Sequence, residues 1–152
     1  MDHSTSLTQH INASPEKVWS VISDIPGSPA TLSGVQSVEM LSDGPYSEGT
    51  RWKETRTMMG RSETVEMWVE QADPPRSTTV KALQNGADYT TRFNLAERNG
   101  GTDLTLTFGA EVVQPSAFSK IMLALFGRIG MKMTRKALAK DLTEIAAKAE
   151  SL

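Results

Sequence analysis

The sequence contains no cysteine. That excludes disulfide frameworks, thiol nucleophiles and cysteine-ligated zinc together. Histidine is nearly as scarce, with only His3 and His10. His3 falls in a terminus expected to fray. His10 lies in an alternating stretch on the face opposite Leu7 and Ile11, and reads as a surface position. A Ser-His-Asp nucleophile therefore lacks a well-placed base, and a metal site lacks ligands, so neither metal nor cofactor is expected. Phosphate loops, dinucleotide fingerprints, H-E-x-x-H and calcium loops are missing too. No apolar run reaches about 18 residues, so stable membrane insertion is not expected. "MDHSTSLTQH" has no basic-then-apolar signal pattern, which makes a cytoplasmic location the expectation and the acceptor-like "NAS" at Asn12 a chance match. Charge of one sign is missing as well. Sixteen basic against 18 acidic residues give −2, so no basic field draws the chain to nucleic acid.

What remains is an ordinary globular composition: 152 residues, 38% hydrophobic and 22% charged, enough for one domain over 1–152 with a core needing no staples. "SLTQHI" reads as a first strand. Ser14, Pro15 and Glu16 then supply an N-cap, a first-turn proline and an acid at the positive end of a helix dipole. Val18, Trp19, Val21 and Ile22 form its apolar stripe, and "DIPGSPATLSG" breaks it into a loop or short broken helix.

From Val35 to Val113 the period is two. Six strands follow: "VQSVEML", "TRWKETRTMM", "SETVEMWVEQA", "STTVKAL", "ADYTTRFNLAE" and "TDLTLTFGAEVV". Turn signals lie at Gly60-Arg61, "DPPR", Asn85-Gly86 and Asn99-Gly100-Gly101. Pro115 opens a helical segment running nearly to the C-terminus, about 50 Å if unbroken. Phe118, Met122, Leu125, Ile129 and Met133 recur along it at spacings of three and four, and Leu138, Leu142 and Ile145 continue the pattern. Gly127 and Gly130 weaken its middle. One sheet with one apolar face and one long amphipathic helix pack most economically with the sheet curled around the helix, leaving space between them. The fold class is α+β: a curved antiparallel sheet of about seven strands around a long C-terminal helix, with a short helical segment after the first strand.

Three stretches resemble a known family: "I-x-A-S-P-E-x-V-W" from Ile11 to Trp19, "G-T-R-W-x-E" from Gly49 to Glu54, and "D-P-P-R" from Asp73 to Arg76. With the Phe-containing antiparallel pair and the C-terminal helix, the whole chain resembles the START-like helix-grip superfamily (SRPBCC). Within it the match is to the polyketide cyclase/dehydrase and lipid transport branch. The resemblance implies a single START-like domain with a deep cavity for a hydrophobic or amphipathic small molecule such as a lipid, sterol or aromatic polyketide-like compound. It implies a carrier or sensor, and also admits an aromatase/cyclase or dehydratase, or a protein-interaction module of the chaperone co-factor type. The last would have a filled interior. Many relatives have an aromatic residue in the loop after the first helix, and "GSPATLSGV" has none, which implies a wider or differently plugged mouth.

The candidate site follows from which faces turn inward. In "RWKETRTMM", Trp52, Glu54, Arg56 and Met58 oppose Arg51, Lys53, Thr55 and Thr57; only the first set has large apolar members, so it faces in. The neighbouring strand offers Val65, Met67 and Val69, and later strands offer Tyr89, Thr91, Phe93, Leu106 and Phe108. The helix stripe supplies Phe118, Met122, Leu125, Ile129 and Met133. Inward methionines suit a shape-tolerant pocket. Glu54 and Arg56 are the candidates for catalysis, joined by Tyr89 in the cyclase or dehydratase alternative, and Tyr89 and Thr91 are further polar anchors. Whether Glu54 and Arg56 satisfy each other or address a ligand stays open. Trp68 points outward, as cover over Lys53 or Thr55 or as a homodimer contact. The basic residues Arg128, Lys132, Arg135, Lys136 and Lys140 read as a solvated helix face, with docking to an anionic lipid surface or an acidic partner as the alternative.

Overall fold

A computed structural model describes residues 3–58 and 60–152, without the side chains of Met58, Ala117, Ser119 and Ile121. Strand β1 (His3–Ile11) leads into α1 (Pro15–Ile22) and α2 (Ser28–Thr31). Six strands follow: β2 (Val35–Met40), β3 (Arg51–Met58), β4 (Arg61–Asp73), β5 (Ser77–Gln84), β6 (Ala87–Arg98) and β7 (Gly101–Val112). Ser14 caps α1 by accepting from Lys17 N at 3.3 Å, and Pro15 and Glu16 occupy its first turn. His3 is not in a frayed end, since it starts β1 and pairs with Ala110. Continuation of β3 to Met59 lies outside the described residues.

The seven strands form one antiparallel sheet in the order β1-β7-β6-β5-β4-β3-β2. Two of its hairpins are set by local chemistry. Asn85 and Gly86 adopt φ of 52° and 84°, and Asn99 and Gly100 adopt 50° and 76°. Two successive left-handed residues match the twist of paired strands, which is why Asn-Gly closes both reversals. The β3–β4 reversal joins Met58 to Arg61, with Gly60 at φ 76°, one position earlier than Gly60-Arg61 suggested. Register shifts between Val35 and Ser37 and between Val69 and Gln71 add curvature.

The C-terminal segment is not one helix. A 3-10 turn (Pro115–Ala117) leads to α3 (Phe118–Ile121), a π-helical turn (Met122–Phe126) and then α4 (Arg128–Glu150). The 23 residues of α4 span about 35 Å rather than 50 Å. Gly127, at φ −68° and ψ 170°, breaks the path and begins α4 as its N-cap. The glycines also permit contact. A Cβ on Gly127 would lie 2.8 Å from Leu123 O, and one on Gly130 would overlap Ala124 O. Thr134 Oγ1 donates to Leu125 O at 3.2 Å, fastening the π turn to α4.

The C-terminal half of α4 belongs to the core: Leu142, Ile145, Ala146 and Ala149 pack with Ile11, Val18, Leu95, Leu104 and Leu106. This half packs close to one end of the sheet, against β1 and β7, and to α1. Ile25, Trp52 and Val69 make a second cluster under the other end. Between the two clusters the helix stands off the sheet.

The close approach at Gly130 generates a test with a definite sign. In an ordinary helix interior Gly→Ala stabilises by up to about 1 kcal/mol. Here Gly130→Ala should instead destabilise by about 1–3 kcal/mol, because the obstructing atom is backbone and cannot rotate away. Urea unfolding decides it: a midpoint equal to or above that of the parent protein would contradict the packing at this crossing.

Candidate functional site

The gap between sheet and α4 holds two chambers. The inner one has a volume of about 250 Å3 and is walled by Val21, Ile22 and Leu32 from the α1–α2 region, Trp52, Phe93 and Leu106 from the sheet, and Leu138 and Ile145 from α4. The outer one, of about 390 Å3, is walled by Val65, Ala82, Tyr89, Ala124 and Met133, with Arg61, Glu63 and Lys81 among its polar members. Glu54, Arg56, Met67, Val80, Thr91, Phe108, Leu125 and Thr134 border both. The chambers therefore meet at a neck, and the combined space falls in the range that accommodates a small molecule.

The neck is where the charged groups gather. Glu54 and Arg56 are two apart on β3, so both point inward. Arg56 Nε lies 2.7 Å from Glu54 Oε2, and an Arg56 Nη lies 3.0 Å from Asp141 Oδ2 on α4. Trp52 Nε1 donates to Glu54 Oε1 at 3.4 Å. The pairing left open by the sequence is thus settled: Glu54 and Arg56 point at each other, and Arg56 also spans the lumen to the helix.

One guanidinium serves two buried carboxylates, so the fully ionised cluster carries one surplus negative charge. Burial raises the Asp141 carboxyl above its ordinary pKa; the Arg56 charge restrains that rise, and Glu54 and Glu144 add to it. Burial works against the Arg56 charge, but Asp141 and Glu54 more than offset it, and the guanidinium stays ionised. Further out, Tyr89 stacks on Phe108 with centroids 5.9 Å apart and planes 13° apart. Burial, assisted by the Glu63 charge, pushes the Tyr89 phenol up. Lys81 Nζ lies 2.8 Å from Asp88 Oδ1 and donates to Thr90 Oγ1 at 2.7 Å, which neutralises it beside the outer chamber.

Trp52, Glu54, Arg56, Val65, Met67, Tyr89, Thr91, Phe93, Leu106, Phe108, Leu125 and Met133 all stand on the walls. Four positions do not follow the expectation, and Met58 lies outside the described side chains. Val69 is sealed in the cluster with Ile25 and Trp52 instead of facing the lumen. Phe118 and Ile129 are exposed, and Met122 is half-buried off the wall. For Phe118 and Met122 the cause is the π turn and the restart at Gly127, which rotate the earlier stripe out of phase with α4, whereas Ile129 is already on α4 and lies on its outward side. Trp68 is covered by the Arg51 guanidinium, 5.0 Å from its ring, rather than by Lys53 or Thr55. His10 pairs with Asp103 at 2.8 Å on the outer face.

Sequence reasoning missed Asp141. Its signal was present: Thr134, Leu138, Asp141 and Ile145 are spaced four, three and four, so a carboxylate sits within an apolar stripe. In the loop without an aromatic residue, Ser28, Thr31 and Leu32 border the inner chamber, and Tyr46 packs edge-on to Trp19 at 5.9 Å. The lumen is open, which is not the filled interior expected of a chaperone co-factor-type module. Among the described residues no group of three or more His, Asp or Glu is arranged to hold a metal ion, and no helix is long and apolar enough to cross a membrane.

The family model described as polyketide cyclase/dehydrase and lipid transport matches residues 2–150. No curated protein matches the chain. Among solved structures, the Zhui aromatase/cyclase of a Streptomyces species superposes with a TM-score of 0.79 at 16% identity, covering 99% of this chain and 94% of that one. A START superfamily protein from Mycobacterium smegmatis gives 0.78 at 17% identity over 98% of both chains. A major latex-like protein from Panax ginseng gives 0.76 at 10% identity over 97% of both. At these identities the likeness is one of fold: the helix-grip fold, with its open seven-stranded sheet and long C-terminal helix.

Two outcomes follow from the charge cluster. Arg56→Met strands two buried carboxylates and should cost about 3–5 kcal/mol at pH 7, shrinking as acid neutralises them; denaturant unfolding at pH 7 and pH 4 measures both. For Asp141 the folded pKa lies above the ordinary 3.8, so above that pH the native state binds more protons than the unfolded chain. Its contribution to stability is therefore intact below 3.8 and is lost as pH rises through the raised pKa. The melting temperature of the parent protein minus that of Asp141→Asn should fall across this window, and a flat difference would count against the assignment.

Proposed function

Because the chain belongs to the polyketide cyclase/dehydrase and lipid transport family, we propose that it binds one elongated, largely hydrophobic molecule whose oxygen functions fall near the middle of its length. One observation carries this reading: Glu54 and Arg56 stand where the chambers meet, with Asp141 bound to Arg56 from the inner side and apolar wall on both sides. A ligand threading the neck places its central portion against these groups and its ends against Leu106, Phe93 and Ile145 inside and Val65, Ala82 and Met133 outside. The second Nη of Arg56, not engaged by the described residues, can donate to a ketone or hydroxyl oxygen, and the carboxylates can accept from a hydroxyl. A carboxylate at the neck would meet the surplus negative charge, so an unsubstituted fatty acid fits poorly there. A hydroxylated lipid, sterol or aromatic polyketide-like compound fits better, and the role is that of carrier or sensor.

A second reading, favoured by Asp141 specifically, makes the protein a cyclase or dehydratase. A carboxyl of raised pKa beside an arginine can give its proton to a hydroxyl that departs as water, while the Glu54 carboxylate takes the hydrogen of the adjacent carbon, whose bonding pair forms the new double bond, and the guanidinium holds the neighbouring carbonyl oxygen. Turnover of a polyketide-like substrate that is lost in Asp141→Asn, with binding of an unreactive analogue retained, would establish it.

The binding reading is tested by thermal shift with stearic acid and its 12-hydroxy derivative. The hydroxylated chain should stabilise the protein by about 2.7 kcal/mol at a hundredfold excess over its Kd, and stearic acid at the same concentration by less. Leu125→Trp, which fills the neck, should abolish the shift. Equal responses to both chains, or a response that survives Leu125→Trp, would rule the neck out as the recognition element. Native mass spectrometry of the freshly purified protein would identify a retained molecule.

A further inference from the structure

The segment before and at the start of α4 has a character that the cavity does not explain. Residues 114–140 contain Lys120, Arg128, Lys132, Arg135, Lys136 and Lys140 and no acidic residue, in a chain whose net charge is −2. The rest of the protein is therefore strongly acidic, and the charge is polarised. Arg135 is engaged, donating to Thr5 Oγ1 and Ser6 O. The other five are exposed, and none forms an ion pair among the described residues.

The same segment exposes large apolar side chains. Leu123 is 76% exposed, Ile129 78%, Phe118 49% and Met133 37%. At about 100° per residue, Lys132, Met133 and Lys136 lie within about 60° of Ile129 on α4. Leu123 lies against Gly127, which is about 160° around α4 from Ile129, so it is exposed beside the helix start while Ile129 and Met133 share the face with Lys132 and Lys136. Apolar and basic groups thus share one face, and that face runs into the cavity: Met133, Ala124 and Gly130 also border the outer chamber, as do Arg61 and Lys81. Singly exposed apolar residues are ordinary on a soluble protein, whereas a contiguous set flanked by unpaired cations marks a contact surface.

We propose that this face docks on an anionic lipid surface, with Phe118, Leu123 and Ile129 entering the boundary between headgroups and acyl chains, and Lys120, Arg128, Lys132 and Lys136 meeting the lipid phosphates. Charge complementarity selects this occupant over a second copy of the chain. Two copies meeting face to face would set the same basic residues against each other. The acidic remainder is repelled by the same surface, so the protein lands with the mouth of the outer chamber toward the lipid. No described helix is long and apolar enough to cross a membrane, so the docking is peripheral. It holds whatever the cavity binds.

Co-sedimentation of the purified chain tests this with vesicles of phosphatidylcholine alone and of phosphatidylcholine and phosphatidylglycerol in equal parts. Binding is expected only to the second, and release is expected near 1 M salt, where the screening length falls to about 3 Å. The double variant Lys132→Gln/Lys136→Gln should partition about thirtyfold less. Leu123→Ser/Ile129→Ser should also weaken binding, and both variants should retain the parent circular dichroism spectrum and melting temperature. Absence of binding to anionic vesicles at low salt would overturn the proposal, as would equal binding to phosphatidylcholine, or either variant binding like the parent. A dimer seen by light scattering that dissociates in Leu123→Ser/Ile129→Ser would assign the face to self-association instead. Capture by soluble polyglutamate that depends on Leu123 and Ile129 would assign it to an acidic protein chain.

Discussion

The bridge from Arg56 to Asp141 joins the two halves of the molecule across its own cavity. One end of α4 is held against β1, β7 and α1 by Leu142, Ile145, Ala146 and Ala149. Strand β3 lies across the cavity from this helix. An arginine long enough to cross the gap, anchored at its root by Glu54, reaches Asp141 beside Leu142 and ties β3 to that packed half, while Arg135 fastens the earlier half to Thr5 and Ser6 of β1. Such a tie must be charged to reach so far in so polar a form, and in an apolar lumen a charge must be paired. The outcome is two carboxylates around one guanidinium, close to neutral but not quite, with Trp52 completing the shell of Glu54.

From that constraint follows the division of the interior into core and cavity. Below the cluster α4 is ordinary core; above it the same helix is a wall. The early apolar stripe does not continue the wall, because the π turn and Gly127 rotate it. Leu125 is turned into the neck, while Phe118, Leu123 and Ile129 are turned out. One local irregularity thereby does two things: it puts Leu125 on the wall where the chambers meet, and it places an apolar, basic face at the rim. A helix continuing unbroken from Pro115 would have done neither.

These features suit a protein that holds a mostly apolar molecule and meets an interface where such molecules reside. In the proposed binding role the neck would supply selectivity through few polar atoms, and the surrounding walls would supply burial. A buried charge cluster is not in itself an efficient source of stability, since desolvation consumes much of the attraction.

The sequence by itself determined the strands, the hairpins and the class of fold. Alternation over Val35 to Val113 marks a one-sided sheet, Asn-Gly at 85–86 and 99–100 enforces two reversals, and Ser14-Pro15-Glu16 starts the first helix. Each depends on neighbours in the chain, where steric and hydrogen-bonding preferences act without knowledge of the whole. The inward face of β3 was legible for the same reason, so Trp52, Glu54 and Arg56 could be placed together. Only the tertiary structure decided that Arg56 would find Asp141, 85 positions later. It also decided that the C-terminal stripe would slip phase, because that slip depends on backbone meeting backbone at Gly127 and Gly130. It decided, finally, that Val69 would be sealed and Val65 left on the wall, since inward alternation tells which side a residue faces and not how far the opposite layer stands away. Period is a property of the strand; the width of a gap belongs to two elements at once.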